Sequence, residues 1–147
     1  MTDVNKPRTF NPPNVPTPPP TYNQVAVTPL LPTSKLVTLA GQTGLRPDGG
    51  GIAADLAGQA RQAYVNVANA LKAAGATPRD VNFVRHYIVV GEEEGVEVVD
   101  RGWGEEWIGF MDREAGGHRP PDTVLGVAGL AKKALLYEVE VTAVVHT

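Results

Sequence analysis

Apolar residues recur along this chain in three patterns. From Asp55 to Ala74 the residues Leu56, Ala60, Ala63, Val67, Ala70 and Leu71 fall at three- and four-residue steps, with Arg61, Gln62, Asn66, Asn69 and Lys72 on the other faces. That period predicts an amphipathic helix, stopped by Gly75 and followed by a turn at Thr77-Pro78. Val81 to Val90 is a nearly continuous run of β-branched and aromatic residues, largely apolar on both faces, and predicts a strand. A second helix is predicted from about Gly95 to Arg113, where Val96, Val99, Trp103, Trp107, Phe110 and Met111 form a broad apolar stripe. The acidic run Glu92, Glu93 and Glu94 precedes it, where negative charge suits a helix N-terminus. Asp122 to Val127 and Leu135 to Val145 predict two closing strands. In the last, Tyr137, Val139, Val141 and Ala143 share an apolar face, and Leu136, Glu138, Glu140 and Thr142 share the opposite one.

Ahead of the first helix, Gln24 to Thr28 and Leu36 to Ala40 are β-branched-rich runs separated by Pro29, Pro32, Thr33 and Ser34, which predicts a hairpin. Gly41 to Gly51 then reads as a glycine-rich loop. It has neither the GxGxxG nor the GxxxxGK[ST] spacing of a phosphate cradle. The order is ββαβαββ, an α+β fold with one mixed sheet and two helices packed on one face. The second sheet face, carrying Val, Ile and Leu beside a few polar groups, has no third layer to cover it, so a symmetric homo-oligomer is expected.

Composition bounds this picture. The 147 residues are 42% hydrophobic and 20% charged with net charge −3, as expected of one globular domain. Nine of thirteen prolines lie at or before Pro32, so Asn11 to Pro20 cannot be helical and is expected to run extended over the surface. Residues 1–21 are read as a proline-rich arm and 22–147 as the domain. No membrane-length apolar run is present. The absence of cysteine excludes disulfides, thiolate metal sites and a cysteine nucleophile. No basic block offers a footprint for nucleic acid. Neither a basic nor an apolar leader segment precedes the prolines, and with the lack of cysteine this fits a cytoplasmic protein.

Candidate chemistry is sparse. His86, His118 and His146 share no metal-ligand spacing, and there is no G-x-S-x-G elbow. His86 reads as a histidine satisfied within the sheet in preference to a catalytic one. His118-Arg119 reads as a solvated loop end in preference to an anion site. Glu138 and Glu140 lie on one face of the last strand: a carboxylate on a central strand is costly unless it is hydrogen-bonded, faces water or lies at a subunit seam, where its pKa can rise into the range of proton transfer.

Five segments in order carry a resemblance: Tyr22-Asn23-Gln24, Ala40-Gly41-Gln42, Asp55 through Asn69 with Gln59-Ala60-Arg61-Gln62, Ala74-Gly75-Ala76, and Tyr137-Glu138-Val139-Glu140-Val141. Together they resemble the Rid family (RidA/YjgF, also described as L-PSP endoribonuclease-like) from about Tyr22 to Val145. The resemblance implies a chorismate mutase-like homotrimer with small-molecule sites between subunits. In the family's deaminases, amino-acid-derived imines or enamines are hydrolysed without metal or cofactor; an arginine clamps the substrate carboxylate and a glutamate handles water. Gly41 matches the site glycine, Tyr22 the aromatic at the rim and Glu138 the glutamate. The arginine is absent: where deaminating members read P-A-R-[ST], this chain reads Pro120-Pro121-Asp122-Thr123. Asp100 stands where many members have asparagine, ahead of the aromatic Trp103.

A carboxylate in place of a guanidinium removes the bidentate fork and adds like charge, so an anionic imino acid is disfavoured. Two readings follow. In one, Asp122 and Glu138 form an acid–base pair acting on a neutral or cationic imine, enamine or related metabolite by hydrolysis or tautomerisation, with Thr123 supplying a hydroxyl and Trp103 an apolar wall. In the other, the trimer is a non-catalytic small-molecule-binding or interaction protein. Ribonuclease activity, suggested only by the family's name, is disfavoured by the acidic charge balance.

Overall fold

The computed structural model describes residues 3–92 and 95–147. Its elements are β1 (Arg8–Phe10), β2 (Val25–Val27), β3 (Ser34–Thr38), β4 (Gln42–Thr43), α1 (Leu56–Ala73), β5 (Val81–Val89), α2 (Trp103–Ala115), β6 (Asp122–Val127) and β7 (Tyr137–His146). A five-stranded mixed sheet runs β3-β7-β5-β6, with β4 also on β7. The β5–β6 pair is parallel, joined through α2, and the other pairs of this sheet are antiparallel.

The α1 helix begins where Asp55 accepts a hydrogen bond from the Gly58 amide. It buries Leu56, Ala60, Ala63, Val67 and Leu71 as its period requires. It also buries Tyr64 and Gln59. The Gln59 amide is fully used: Nε2 donates to the carbonyls of Ala53 and Ala134 at 2.9 Å each, and Oε1 accepts from the Leu136 amide at 2.8 Å. The core between helices and sheet is aromatic, with Tyr64 packed on Trp107 and Phe110 at centroid distances of 5.3 Å.

Four expectations are corrected. Val25–Val27 does not form a hairpin with the next strand; it pairs with Arg8–Phe10 of the arm, and β3 pairs with β7. Proline spacing marked a turn, but pairing was decided by partners distant in sequence. The glycine-rich segment is not all loop, since Gln42–Thr43 joins β7. The second helix starts at Trp103 rather than near Gly95, because Gly102 at φ +89° forces a left-handed break; Val98–Asp100 is a short 3-10 turn, and Val96 and Val99 are exposed. Of the acidic run before it, Glu93 and Glu94 lie outside the described residues. Finally, His118 is buried rather than solvated, its Nε2–H donating to the Val81 carbonyl at 2.6 Å.

The segment from Asn11 to Pro20 is non-helical and mostly exposed, as proline chemistry requires. It is tied down at both ends. Lys6 pairs with the buried carboxylate of Asp80, and Arg119 Nε donates to the Pro20 carbonyl at 2.9 Å. The sheet face away from the helices is uncovered: Leu36 is 69% exposed and Leu125 37%, beside an Arg85–Glu140 ion pair at 3.3 Å. Among the described residues, no helix is long and apolar enough to cross a membrane.

Candidate functional site

Pro120 and Pro121 end the loop after α2, and the Val84 amide donates to the Pro121 carbonyl at 3.1 Å. This starts β6 alongside β5 in parallel register, with Asp122 opposite Val84 and Val124 opposite His86. Val84 and His86 are buried beneath the helices, so Asp122 enters the same layer; its side chain is 2% exposed. The anchored end of the arm returns across the start of α2. Together these elements enclose a cavity of about 730 Å³ whose lining includes Tyr22, Asp100, Trp103, Glu105, Asp122 and Thr123.

Five of the seven sequence candidates therefore share one cavity: Tyr22, Asp100, Trp103, Asp122 and Thr123. Among the described residues its charged lining is all acidic, Asp100, Glu105 and Asp122, with neither lysine nor arginine. Arg119, the nearest arginine in sequence to Asp122, is occupied with Pro20 and with Asp112 at 2.7 Å. Burial pushes the Asp122 carboxyl up to about 7.

Gly41 and Glu138 lie elsewhere. Glu138 is opposite Thr43 and Tyr87, on the face away from the helices, next to Glu140. A methyl built on Gly41 would stand 2.8 Å from Cδ of Glu138 and closer still to its Oε2, so a glycine is what lets this carboxylate lie against the chain. Partial burial, and then the charge of Glu140, raise the Glu138 pKa. Asp122 and Glu138 project from opposite faces of the sheet, so one protomer does not bring them together as a pair.

His86 is not the fully satisfied histidine that its strand position suggests. Nδ1 lies 2.5 Å from the Tyr137 hydroxyl, but among the described residues Nε2 has no hydrogen-bond partner and stands 3.6 Å from Oδ2 of Asp122, which has none either. Trp103 covers the imidazole, centroids 4.3 Å apart, and burial lowers the His86 pKa to about 3. Glu105 and Tyr64 were also missed as neighbours of the site: exposed-face spacing marks the first as solvated and helical period marks the second as core. The link from His86 to Asp122 had no local signal, because it depends on parallel pairing of strands separated by a helix.

The profile described as Endoribonuclease L-PSP matches residues 13–145. The chain belongs to this family, the Rid or YjgF family. The Rid protein YyfB of Yersinia pestis, itself of unknown function, is 26% identical and similar in structure at a TM-score of 0.78, covering 94% of this chain and 98% of that one. Rv2704 of Mycobacterium tuberculosis, a member of the YjgF family, is 32% identical over 75% of this chain and 79% of its own, with a TM-score of 0.59. Escherichia coli TdcF, solved with bound serine, is 25% identical over 86% and 95%, at a TM-score of 0.64. No curated protein sequence matches. The α+β architecture with two helices on a mixed sheet is thus the Rid fold, and identities of 25–32% with no curated match mark this chain as a divergent member.

Proposed function

We propose that this Rid protein acts on a neutral or cationic small molecule, an imine, enamine or related metabolite, by acid–base chemistry in a site completed between subunits of a homotrimer. The observation that carries the reading is the acidic cavity with the buried Asp122 carboxyl in its wall. An anionic occupant would meet three carboxyl groups and no cation there, whereas an amine-derived group would be attracted. TdcF binding serine supports a site for a molecule of this size in the family.

The placement of Glu138 supports the oligomer. It sits with Gly41 on the uncovered sheet face, away from the Asp122 cavity. A neighbouring chain seated on that face would bury Leu36 and Leu125 and bring one chain's Glu138 toward another's cavity. Asp122 then supplies a proton to the C=N nitrogen, Glu138 orients or activates water, Tyr22 borders the entrance and Trp103 forms the wall.

Complementation between chains tests this reading. Asp122→Asn and Glu138→Gln are each expected to abolish ammonium release from a panel of imines. Mixing the unfolded variants in equal amounts and refolding them together should restore activity at about a quarter of the sites. Activity in either single variant equal to wild type, or no recovery on mixing, overturns it.

The replacement of the family arginine by Asp122 also favours a second reading, a trimer that binds its ligand without turnover. Saturable binding of a cationic amine with no ammonium or tautomer formed from any member of the panel identifies that case.

A further inference from the structure

We propose that Asp122 is the proton donor of the cavity, and that His86, held as its Nδ1–H tautomer by a blind chain of buried hydroxyls, is the positioning residue that keeps the proton on Asp122. The inference rests on reading the cavity as an acid–base site and assigns the roles within it.

The argument is a count of hydrogens. The Tyr64 hydroxyl lies 3.3 Å from the Trp103 carbonyl and 2.8 Å from the Tyr137 hydroxyl. A carbonyl can only accept, and a hydroxyl has one hydrogen. Donating it to Trp103 makes Tyr64 an acceptor toward Tyr137. Tyr137 uses its hydrogen there and must accept from His86 Nδ1. Nδ1 therefore carries the ring hydrogen, and Nε2 of the neutral imidazole is a bare lone pair.

That lone pair faces Oδ2 of Asp122 at 3.6 Å, both atoms buried and unpartnered. If Asp122 were ionised, two acceptors would confront each other in a dry layer. A hydrogen on Oδ2 turns the same pair into donor and acceptor. Less than 1 Å of closure gives an ordinary O–H···N bond, and the gap is too narrow for a water molecule.

The surroundings point the same way. The side chains of Asp100, Glu105 and Tyr22 share the cavity lining with Asp122, and among the described residues no lysine or arginine lines it. Around the imidazole stand Tyr137, Trp103 and Trp107, with Tyr64 behind Tyr137 and Glu106 acting on Tyr64. Desolvation raises the aspartate pKa and keeps the histidine neutral. For transfer the carboxyl turns its hydrogen from Nε2 toward the cavity that Asp122 lines; the O–H bond breaks as an N–H bond to the imine nitrogen forms, a carboxylate and an iminium are left side by side with no net change of charge, and Glu138 is left as the base.

Histidine tautomers are read directly from nitrogen-15 spectra of the labelled protein. The ring signal lost in His86→Gln is expected to be the Nδ1–H form, without titration between about pH 5 and 8. Tyr137→Phe removes the Nδ1 acceptor, so the ring should switch to Nε2–H and donate to an ionised Asp122; the Asp122 carboxyl carbon should then titrate about one pH unit lower or more. Tyr64→Phe makes the same prediction, since Tyr137 then turns its hydrogen toward Nδ1, and serves if Tyr137→Phe does not fold. An Nε2–H or doubly protonated ring in the wild type, or an Asp122 midpoint unmoved in both variants, overturns the inference. No substrate is needed. An active enzyme with the Nε2–H ring defeats only this assignment, and the Nδ1–H ring without turnover defeats only the catalytic reading.

Discussion

Replacing Asp122 by asparagine keeps the shape of the carboxyl and removes its charge, and the amide can take over as donor to His86 Nε2. The consequence for stability is set by where the proton resides. Below the ordinary carboxylate value of 3.8 both folded and unfolded chains hold it; between there and about 7 only the folded chain does; above about 7 neither does. The contribution of Asp122 to the stability of the wild type therefore declines as pH rises through this window, and the variant lacks this component. Two pH units separate pH 5 from the folded value, each worth about 1.4 kcal/mol, which sets a ceiling of about 3 kcal/mol between pH 5 and 8. Solvent reaching the cavity side reduces this to about 1–2 kcal/mol. The assay is urea unfolding of both proteins at about pH 5 and about pH 8, at one fixed chain concentration so that association is held constant. His86 and His118 titrate in both proteins and cancel in the comparison. Asp122→Asn should gain on the wild type by about 1–2 kcal/mol at the higher pH. A difference that stays the same within about 0.5 kcal/mol refutes the raised carboxyl pKa and with it the proton donor.

Other outcomes follow from the same geometry. Gly41→Ala needs only the flexible end of Glu138 to move, so it should unfold within about 1 kcal/mol of wild type yet lose the Glu138-dependent turnover. Gly44→Ala instead drives a methyl to 2.9 Å from Cα of Gln59, a residue pinned by three hydrogen bonds, and should cost about 1–3 kcal/mol in the same unfolding assay. Lys6→Ala leaves the buried Asp80 carboxylate without its cation and should cost about 1–3 kcal/mol, whereas a loosely attached arm predicts no change. On the acid side, burial holds His86 near 3 and His118 near 4 against an ordinary 6.5, so the stability they contribute is full above pH 6.5 and is lost as pH falls toward 4. Two histidines outweigh the opposing slope of one aspartate there, and His118→Gln should make the urea-midpoint profile shallower.

Local patterns carried the elements whose signals are local. The α1 period and the alternation of Tyr137, Val139 and Val141 against Glu138 and Glu140 were legible, as was the end of α2 to within two residues, expected about Arg113 and found at Ala115, because neighbours along the chain decide them. The start of α2 was not, since the apolar residues Val96 and Val99 extend the stripe while one left-handed glycine overrides it. Strand pairing was least legible: nothing near Val25–Val27 announces Arg8–Phe10 as its partner. The same limit governs the site. Asp122 is conspicuous in the sequence because it stands where the family resemblance calls for an arginine, but its burial against His86 arises from the parallel β5–β6 register. That Asp122 and Glu138 face opposite ways follows from counting alternation across three strands whose order no local pattern states.

The most direct measurement is ammonium release by the purified protein from matched imines that differ only in a carboxylate. Turnover of the neutral or cationic member, with little of the carboxylated one and none by Asp122→Asn, is the expected result. Preference for the carboxylated member, or full activity in Asp122→Asn, would contradict a site built around an acidic cavity with Asp122 as its proton donor.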